Sequence, residues 1–318
     1  MKIVRIHHPY APEQITTTPI VLTLGFFDGV HLGHQAVIKQ AAALAHDQKI
    51  PLAVMTFNQH PGLVFRQLAA EQMKYLTTTD RKIALMDQLG VDILYIVEFT
   101  SAFSALTPTE FVDQYIINFH AQIVVAGFDY TFGPQQATIQ DLPRYAKGRF
   151  QVVEVAKQQV DAEKISSTHI RQAIAAGDVD QADKLLGYPY QNKGVVVHGL
   201  ARGRTIGFPT LNLAINADQH VPGIGIYAVK IIIAGQEYSG MASIGRNVTF
   251  GDNHAVTVEI YVFDFNRMVY GEQVQVAWFT HLRGEIKFAD AAGLVAQLKQ
   301  DEQHVRDYFA THSGRVNL

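Results

Sequence analysis

Two histidines three residues apart, His31 and His34, close the decapeptide GFFDGVHLGH at residues 25–34. That spacing puts both imidazoles on one face of a helix whose first turn starts near His31. The apolar run Ile20 to Leu24 precedes the decapeptide and a stretch with helical periodicity follows it, so it reads as a strand-to-helix turn. The N–H groups at the start of a helix lack intrahelical partners and favour anions. Gly25 and Gly29 let the backbone turn and approach a ligand with no Cβ in the way. Imidazoles that donate to phosphoryl oxygens in such a place suit phosphate chemistry, with no nucleophile required. Taken alone, a glycine-rich turn with a histidine pair is also an ordinary structural feature of α/β proteins.

Three further stretches carry chemically useful side chains. Ser166, Ser167 and Thr168 precede a helical pattern that contains Arg171. Their hydroxyls either cap that helix or, with its N–H groups and the planar guanidinium, hold a phosphate. Residues 199–207 hold Gly199, Gly203 and Gly207 together with Arg202 and Arg204, a loop able to cradle phosphates or to be merely flexible and basic. Along VEIYVFDF at 258–265, alternation places Glu259 on one face with Tyr261 and Phe263, where a carboxylate is either solvated or a general base.

The elements that must position these groups fall into two patterns. From Ile20 to Val155, the runs VLTLG, LAVMTF, DILYIV, QIVVAG and FQVVEV read as buried parallel strands. Amphipathic stretches separate them. One has Val37, Ile38, Ala41, Leu44 and Ala45 on a single face; another has Ile83, Met86 and Leu89. Thr107-Pro108-Thr109-Glu110 is a capping box with proline at the first helical position. The pattern predicts a doubly wound Rossmann-like sheet, whose ligands bind outside the carboxyl ends of its strands. The decapeptide, Thr56 to Pro61 and Ala126 to Gly133 with its Asp129 all fall at such ends.

A short helix over Gly177 to Leu186 runs into Gly187-Tyr188-Pro189, which predicts domains at 1–187 and 188–318. Beyond that joint KGVVVHG, IYAVKIIIAG, AVTVEIYVFDF and QVQVAWF read as strands without intervening helices, an antiparallel β-barrel or sandwich. Phe288 to His312 restores helical spacing, with Leu294, Leu298, Val305, Tyr308 and Phe309 on its apolar face.

Composition narrows the classes. A chain of 318 residues with 48% hydrophobic and 17% charged residues has material for two cores, and a net charge of −3 provides no field for a polyanion, so nucleic acid is not the expected partner. The absence of cysteine removes disulfides, thiolate catalysis and Cys-ligated zinc, and the 14 histidines show no HExxH-like spacing. The first residues lack the apolar core of a signal peptide, and no run approaches the ~20 apolar residues of a membrane span. A cytoplasmic protein without a membrane partner is expected.

The decapeptide resembles the HxGH signature of the nucleotidyltransferases, and its GxFDGVHxGH form is similar to that of the bacterial bifunctional riboflavin kinase/FAD synthetase family. KISSTHIR resembles the family's ISSTxIR motif, GLARGRTIGFPTLN its kinase signature GxxxGRxxGFPTxN, and VEIYVFDF the strand that bears its catalytic base. The resemblance runs from about Ile20 to Asp307. It implies an N-terminal FMN adenylyltransferase with His31, His34 and Arg171 at the reacting phosphates. There Gly25, Phe26, Phe27, Asp28, Gly29, Asp129, Ser166, Ser167 and Thr168 surround the nucleotide and flavin. It implies a C-terminal riboflavin kinase in which Gly203 and Arg204 cover ATP phosphates, Thr210 and Asn212 hold Mg²⁺, Glu259 is the base and Arg283 is a flavin-side residue. Riboflavin would be phosphorylated to FMN and FMN adenylylated to FAD and pyrophosphate, with ATP the substrate of both steps. Gln59, Gln136, His169 and Val248 depart from the family pattern. Rival readings are a chain with one working half, a nucleotidyltransferase with another acceptor, and a flavin-binding regulator.

Overall fold

A computed structural model describes residues 1–312 apart from 135, 161–162, 201 and 247–255. The chain divides into two compact units, Met1–Ser167 and Thr168–Leu318.

The first unit is built on a six-stranded parallel sheet with strands β1 (Lys2–Ile6), β2 (Ile20–Leu24), β3 (Leu52–Phe57), β4 (Ile93–Val97), β5 (Ala121–Gly127) and β6 (Gln151–Val155). Their spatial order is β1-β4-β3-β2-β5-β6. Strands β2, β3 and β4 are buried along their whole lengths, which is why they read as unbroken apolar runs. The edge strand β1 was not expected. Only Ile6 of its five residues is fully buried, so the segment shows neither alternation nor an apolar run. From β2 the chain winds outward to β3 and β4 on one side and to β5 and β6 on the other. The crevice between the carboxyl ends of β2 and β5 is therefore the topological switch point.

Helix α1 (Leu32–Gln48) follows β2 and buries Val37, Ile38, Ala41 and Ala45, the predicted face. Helix α2 (Thr79–Gln88) differs from expectation: it buries Arg81, Lys82, Leu85 and Met86, whereas Ile83 and Leu89 are only partly covered. Two cations thus occupy the inner face that apolar periodicity assigned to isoleucine and leucine. The capping box at Thr107 forms as predicted, Glu110 accepting from both the Thr107 N–H and its hydroxyl at 2.8 Å.

The second unit begins with α3, which starts at Ser167 and runs to Ala176, and α4 (Val179–Leu186), the latter closed by Gly187 at φ +80°. Both lie against the barrel that follows: Gly223 N–H donates to Ile174 O at 2.9 Å, and Thr280 Oγ1 donates to Asp180 Oδ2 at 2.9 Å. The barrel strands are β7 (Gln191–Val197), β8 (Leu211–Ile215), β9 (Gly225–Ile233), β10 (Gln236–Arg246), β11 (Val256–Val262) and β12 (Gln273–Arg283). They close in the order β7-β8-β11-β10-β9-β12, every neighbouring pair antiparallel. Closure leaves no free edge. Two strands escaped the sequence reading. β8 begins in the last two residues of the loop-like signature, and β10 carries Gly240 in a stretch of weak alternation. Buried Trp278 donates from Nε1 to Asn192 Oδ1 at 2.8 Å inside the barrel. Helix α5 (Ala291–Thr311) packs on it through Val305, with Leu298, Tyr308 and Phe309 around it. Among the described residues, no helix is long and apolar enough to cross a membrane.

Candidate functional site

In the first unit the decapeptide lies at the carboxyl end of β2, as the strand pattern predicted, and the sheet order makes that end part of the switch point. His31 is the N-cap of α1, its Nδ1 accepting from His34 N–H at 3.2 Å. That bond leaves the proton of a neutral His31 on Nε2. The two imidazoles stack with ring centroids 3.5 Å apart and planes 16° from parallel. Burial first, then His31, then Lys82 hold His34 well below the ordinary histidine range, so His34 is neutral at pH 7. Its Nδ1 is buried with no hydrogen-bond partner, a polar atom in want of one.

A Cβ on Gly25 would meet the Phe27 ring at 2.6 Å, so Gly25 makes room for that side chain. Gly29 does supply a left-handed turn, φ +84°, between the strained Phe27 at +53° and Val30 at +36°. Buried hydrogen bonds hold this conformation. Asp28 accepts from Leu76 N–H at 3.0 Å and Thr77 N–H at 3.2 Å, and Gly29 N–H donates to Thr77 Oγ1 at 3.0 Å. The Ser167 hydroxyl donates to Asp28 O at 3.1 Å, which joins the serine motif to the decapeptide. Ser166 adjoins it, while Thr168 and Arg171 follow in the second unit on α3.

Lys82 was missed. Its ammonium donates to Phe26 O at 2.8 Å and to Thr56 Oγ1 at 3.4 Å and lies 4.4 Å from the centre of the Phe26 ring. A lysine in an amphipathic helix reads as a solvated face, and only the fold turns it inward. Asp129 lies beyond β5, at the same edge of the sheet, and Phe26 packs edge-on to His60. Also at this edge is a cavity of 360 Å³ walled by Phe57, Phe99, Phe103, Phe111, Tyr130 and Phe132. Of these rings the sequence motifs include only Phe57, Tyr130 and Phe132. Phe99, Phe103 and Phe111 come from segments that carry no motif. A planar aromatic ligand with one polar end suits this space.

In the second unit the barrel brings Thr210, Asn212 and Glu259 together. Asn212 stands opposite Glu259 in the β8–β11 ladder, and Thr210 Oγ1 donates to Glu259 Oε2 at 3.1 Å. Gly203 is required sterically, since a Cβ there would lie 2.1 Å from Phe208 O. Thr210 lines two cavities. One, of 440 Å³, includes Arg204, Arg267 and Tyr270, a setting for an aromatic base with phosphates. The other, of 220 Å³, is mostly apolar and is lined by Gly203, Phe208, Glu259, Tyr261 and Leu298. Arg283 ends β12 with its guanidinium on buried Asp301 of α5: Nε donates to Oδ1 at 3.1 Å and Nη2 to Oδ2 at 2.6 Å. Of the departures from the family pattern, Gln59 donates from Nε2 to Phe99 O at 2.8 Å and Gln136 lines the aromatic cavity. His169 lies on α3, and Val248 lies outside the described residues.

The donor set at Thr210 and Asn212 is oxygen, which suits Mg²⁺ beside nucleotide phosphates. Among the described residues no cluster of three or more histidines, cysteines or carboxylates could hold a metal by itself.

The sequence matches two family models, FAD synthetase over residues 13–169 and riboflavin kinase over 186–309. It is 49% identical over 311 residues to the bifunctional riboflavin kinase/FMN adenylyltransferase of Listeria monocytogenes, covering 98% of this chain and 99% of that protein. Identity to the Bacillus subtilis protein of the same name is 41% over 313 residues, covering 98% and 99%. A crystal structure titled as a macrolide-efflux protein from Streptococcus pneumoniae superposes with a TM-score of 0.88 at 40% identity, covering 95% of this chain and 99% of that one. The helix-wound parallel sheet with its stacked histidines, the closed barrel with its Thr-Asn-Glu cluster and these likenesses over nearly the whole length agree: the chain belongs to the bifunctional riboflavin kinase/FMN adenylyltransferase family.

Proposed function

We propose that the barrel unit phosphorylates riboflavin to FMN and that the parallel-sheet unit adenylylates FMN to FAD, each with ATP. The observation that carries this reading is that each unit sets a phosphate-suited turn beside an apolar or aromatic cavity. In the barrel, Thr210 stands between the arginine-lined space and the apolar one, where a γ-phosphate would meet a flavin's ribityl end. Glu259 accepts the proton of the riboflavin 5′-hydroxyl as that oxygen attacks the γ-phosphorus, the bond from that phosphorus to the β–γ bridging oxygen breaks and ADP leaves, and the Thr210 hydroxyl orients the carboxylate. The Gly203 loop and Arg204 cover the phosphates. Thr210 and Asn212 would hold Mg²⁺, which neutralises phosphate charge when bound. We assign Arg283 to positioning α5, because its guanidinium bonds Asp301 on that helix and Leu298 of the same helix lines the flavin cavity.

In the first unit an FMN phosphate oxygen attacks the α-phosphorus of ATP in line and pyrophosphate leaves, with no covalent enzyme intermediate. Such a transition state needs position and charge stabilisation. His31 and His34 supply N–H donors at the start of α1, where the helix dipole adds to them. The Phe26–Gly29 turn, Asp129 and the aromatic cavity hold the nucleotide and flavin, and Ser166 and Ser167 bind phosphate. We place the boundary between the two activities at 187/188. The helices α3 and α4 pack with the barrel, while the family matches leave residues 170–185 to neither activity. We read the protein as cytoplasmic, where ATP, the substrate of both steps, is at hand.

Incubating the protein with riboflavin, ATP and Mg²⁺ and separating the flavins by chromatography tests the proposal. FMN and then FAD are expected. No FMN refutes the kinase, and FMN without FAD refutes the transferase.

A further inference from the structure

The helix α2 turns two cations inward, and one of them meets the turn that presents His31. Lys82 is 5% exposed. Its hydrogen bonds go to neutral acceptors, the Phe26 carbonyl at 2.8 Å and the Thr56 hydroxyl at 3.4 Å, while Thr56 itself donates to the same carbonyl at 2.8 Å. Phe26 is therefore held from two sides, from α2 by a charge and from β3 by a hydroxyl. Its ring also lies under the ammonium. The next residues, Phe27, Gly29 and Val30, adopt left-handed conformations, two of them in side chains that disfavour it. Such a turn persists only where its surroundings over-determine it. An ammonium whose hydrogen bonds go to neutral acceptors, with Asp28 near it but burial the larger effect, is a poor choice for stability alone, because an apolar side chain would fill the space without desolvating a charge.

We infer that Lys82 is a positioning residue for adenylyl transfer: its charge, acting through the Phe26 carbonyl, sets the turn that aims His31 and His34 at the nucleotide phosphates. This rests on the assignment of those histidines to the transfer site. The groups that face the ammonium are Asp28 from the turn, His34 from α1 and the neutral Thr56 from β3, with Arg81 adjoining it on α2. Asp28 favours the charged amine. Burial outweighs it and brings Lys82 down to about 8. The charge is therefore present at neutral pH and is lost as pH rises through that value. Adenylyl transfer should fall on the same limb, and riboflavin phosphorylation, which uses the other unit, should not.

The test measures both activities of the full chain in K82M, K82R and H31A. K82M keeps the length of the side chain and removes the charge. Its kcat for FAD formation should fall about 10²-fold, the scale of a misplacement of about 1 Å in a reacting group, while its KM for ATP changes little. FMN formation should match the unaltered protein. The alkaline limb near pH 8 should vanish in K82M and move upward in K82R, which retains its charge and should exceed K82M in transfer. A merely structural lysine would not move that limb. FAD formation by K82M close to that of the unaltered protein, a limb that persists in K82M, or K82R no better than K82M would overturn the inference. H31A separates the two layers: if it still makes FAD the histidine assignment fails, and if it does not while K82M does, only the role of Lys82 fails.

Discussion

Replacing Glu259 by glutamine probes the kinase assignment most directly. The carboxylate lies on β11 opposite Asn212 and accepts the Thr210 hydroxyl at 3.1 Å. An amide keeps the volume, and its carbonyl oxygen can still accept from Thr210, so the strand register and the cavity wall are preserved. What disappears is the ability to take a proton from the attacking hydroxyl. Positioned general bases contribute about 10²–10⁴-fold, or about 3–5 kcal/mol of transition-state stabilisation at 1.36 kcal/mol per tenfold. Initial rates of FMN formation from riboflavin and ATP should fall by that factor in kcat, with KM for riboflavin nearly unchanged. The same preparation supplied with FMN and ATP should make FAD at the normal rate. A loss of kinase rate below about tenfold would refute proton acceptance by Glu259. Equal loss of both activities would refute the separation of the two sites.

Three other outcomes follow from the geometry. His31→Ala should abolish FAD formation from supplied FMN and leave FMN formation intact; a variant that retains the transferase would remove the histidine pair from the mechanism. Asp301→Ala should destabilise the barrel unit by about 3–5 kcal/mol, because Arg283 is left partly buried with no counter-charge. A thermal melt of the full chain measures this, and an unchanged barrel transition would show that the pair contributes nothing. His34 is held below its usual value, so the unfolded chain takes up a proton that the folded chain resists. The stability this confers is complete above the unfolded pKa of about 6.5 and is lost as pH falls below it. Melting between pH 7.5 and 5.5 should therefore decline more steeply for the unaltered protein than for His34→Gln, and parallel curves would contradict the buried neutral imidazole.

The parts of the fold legible in the sequence are those in which local pattern and burial coincide. Strands β2 to β5 are buried on both faces, and α1 keeps its apolar stripe at helical spacing, so periodicity alone finds them. β1 and β10 were not legible, since an edge strand needs few buried side chains and a barrel strand is defined by its partners. The site divides along the same line. The glycines and histidines of the decapeptide and the Thr210–Asn212 pair keep fixed spacings because each lies within one turn or strand start, whereas Glu259 joins that pair only through the β8–β11 ladder. The aromatic cavity draws on segments from Phe57 to Gln136, and no local pattern links Phe99, Phe103 and Phe111 to a ligand.

The chain by itself determined the chemistry: a helix start with two imidazoles, a glycine-arginine loop, and a carboxylate on a strand alternating with apolar neighbours. Those features are short-range, dictated by backbone conformation and side-chain type within a few residues. Only the tertiary structure decided the electrostatics. Stacking on His31 in a buried turn helps hold His34 below the ordinary histidine range, and turning Lys82 inward puts an ammonium over the Phe26 ring. Barrel closure set Thr210 between a basic cavity and an apolar one. Burial and long-range pairing govern these outcomes because desolvation depends on every element packed around a group, and the neighbouring sequence carries no record of it.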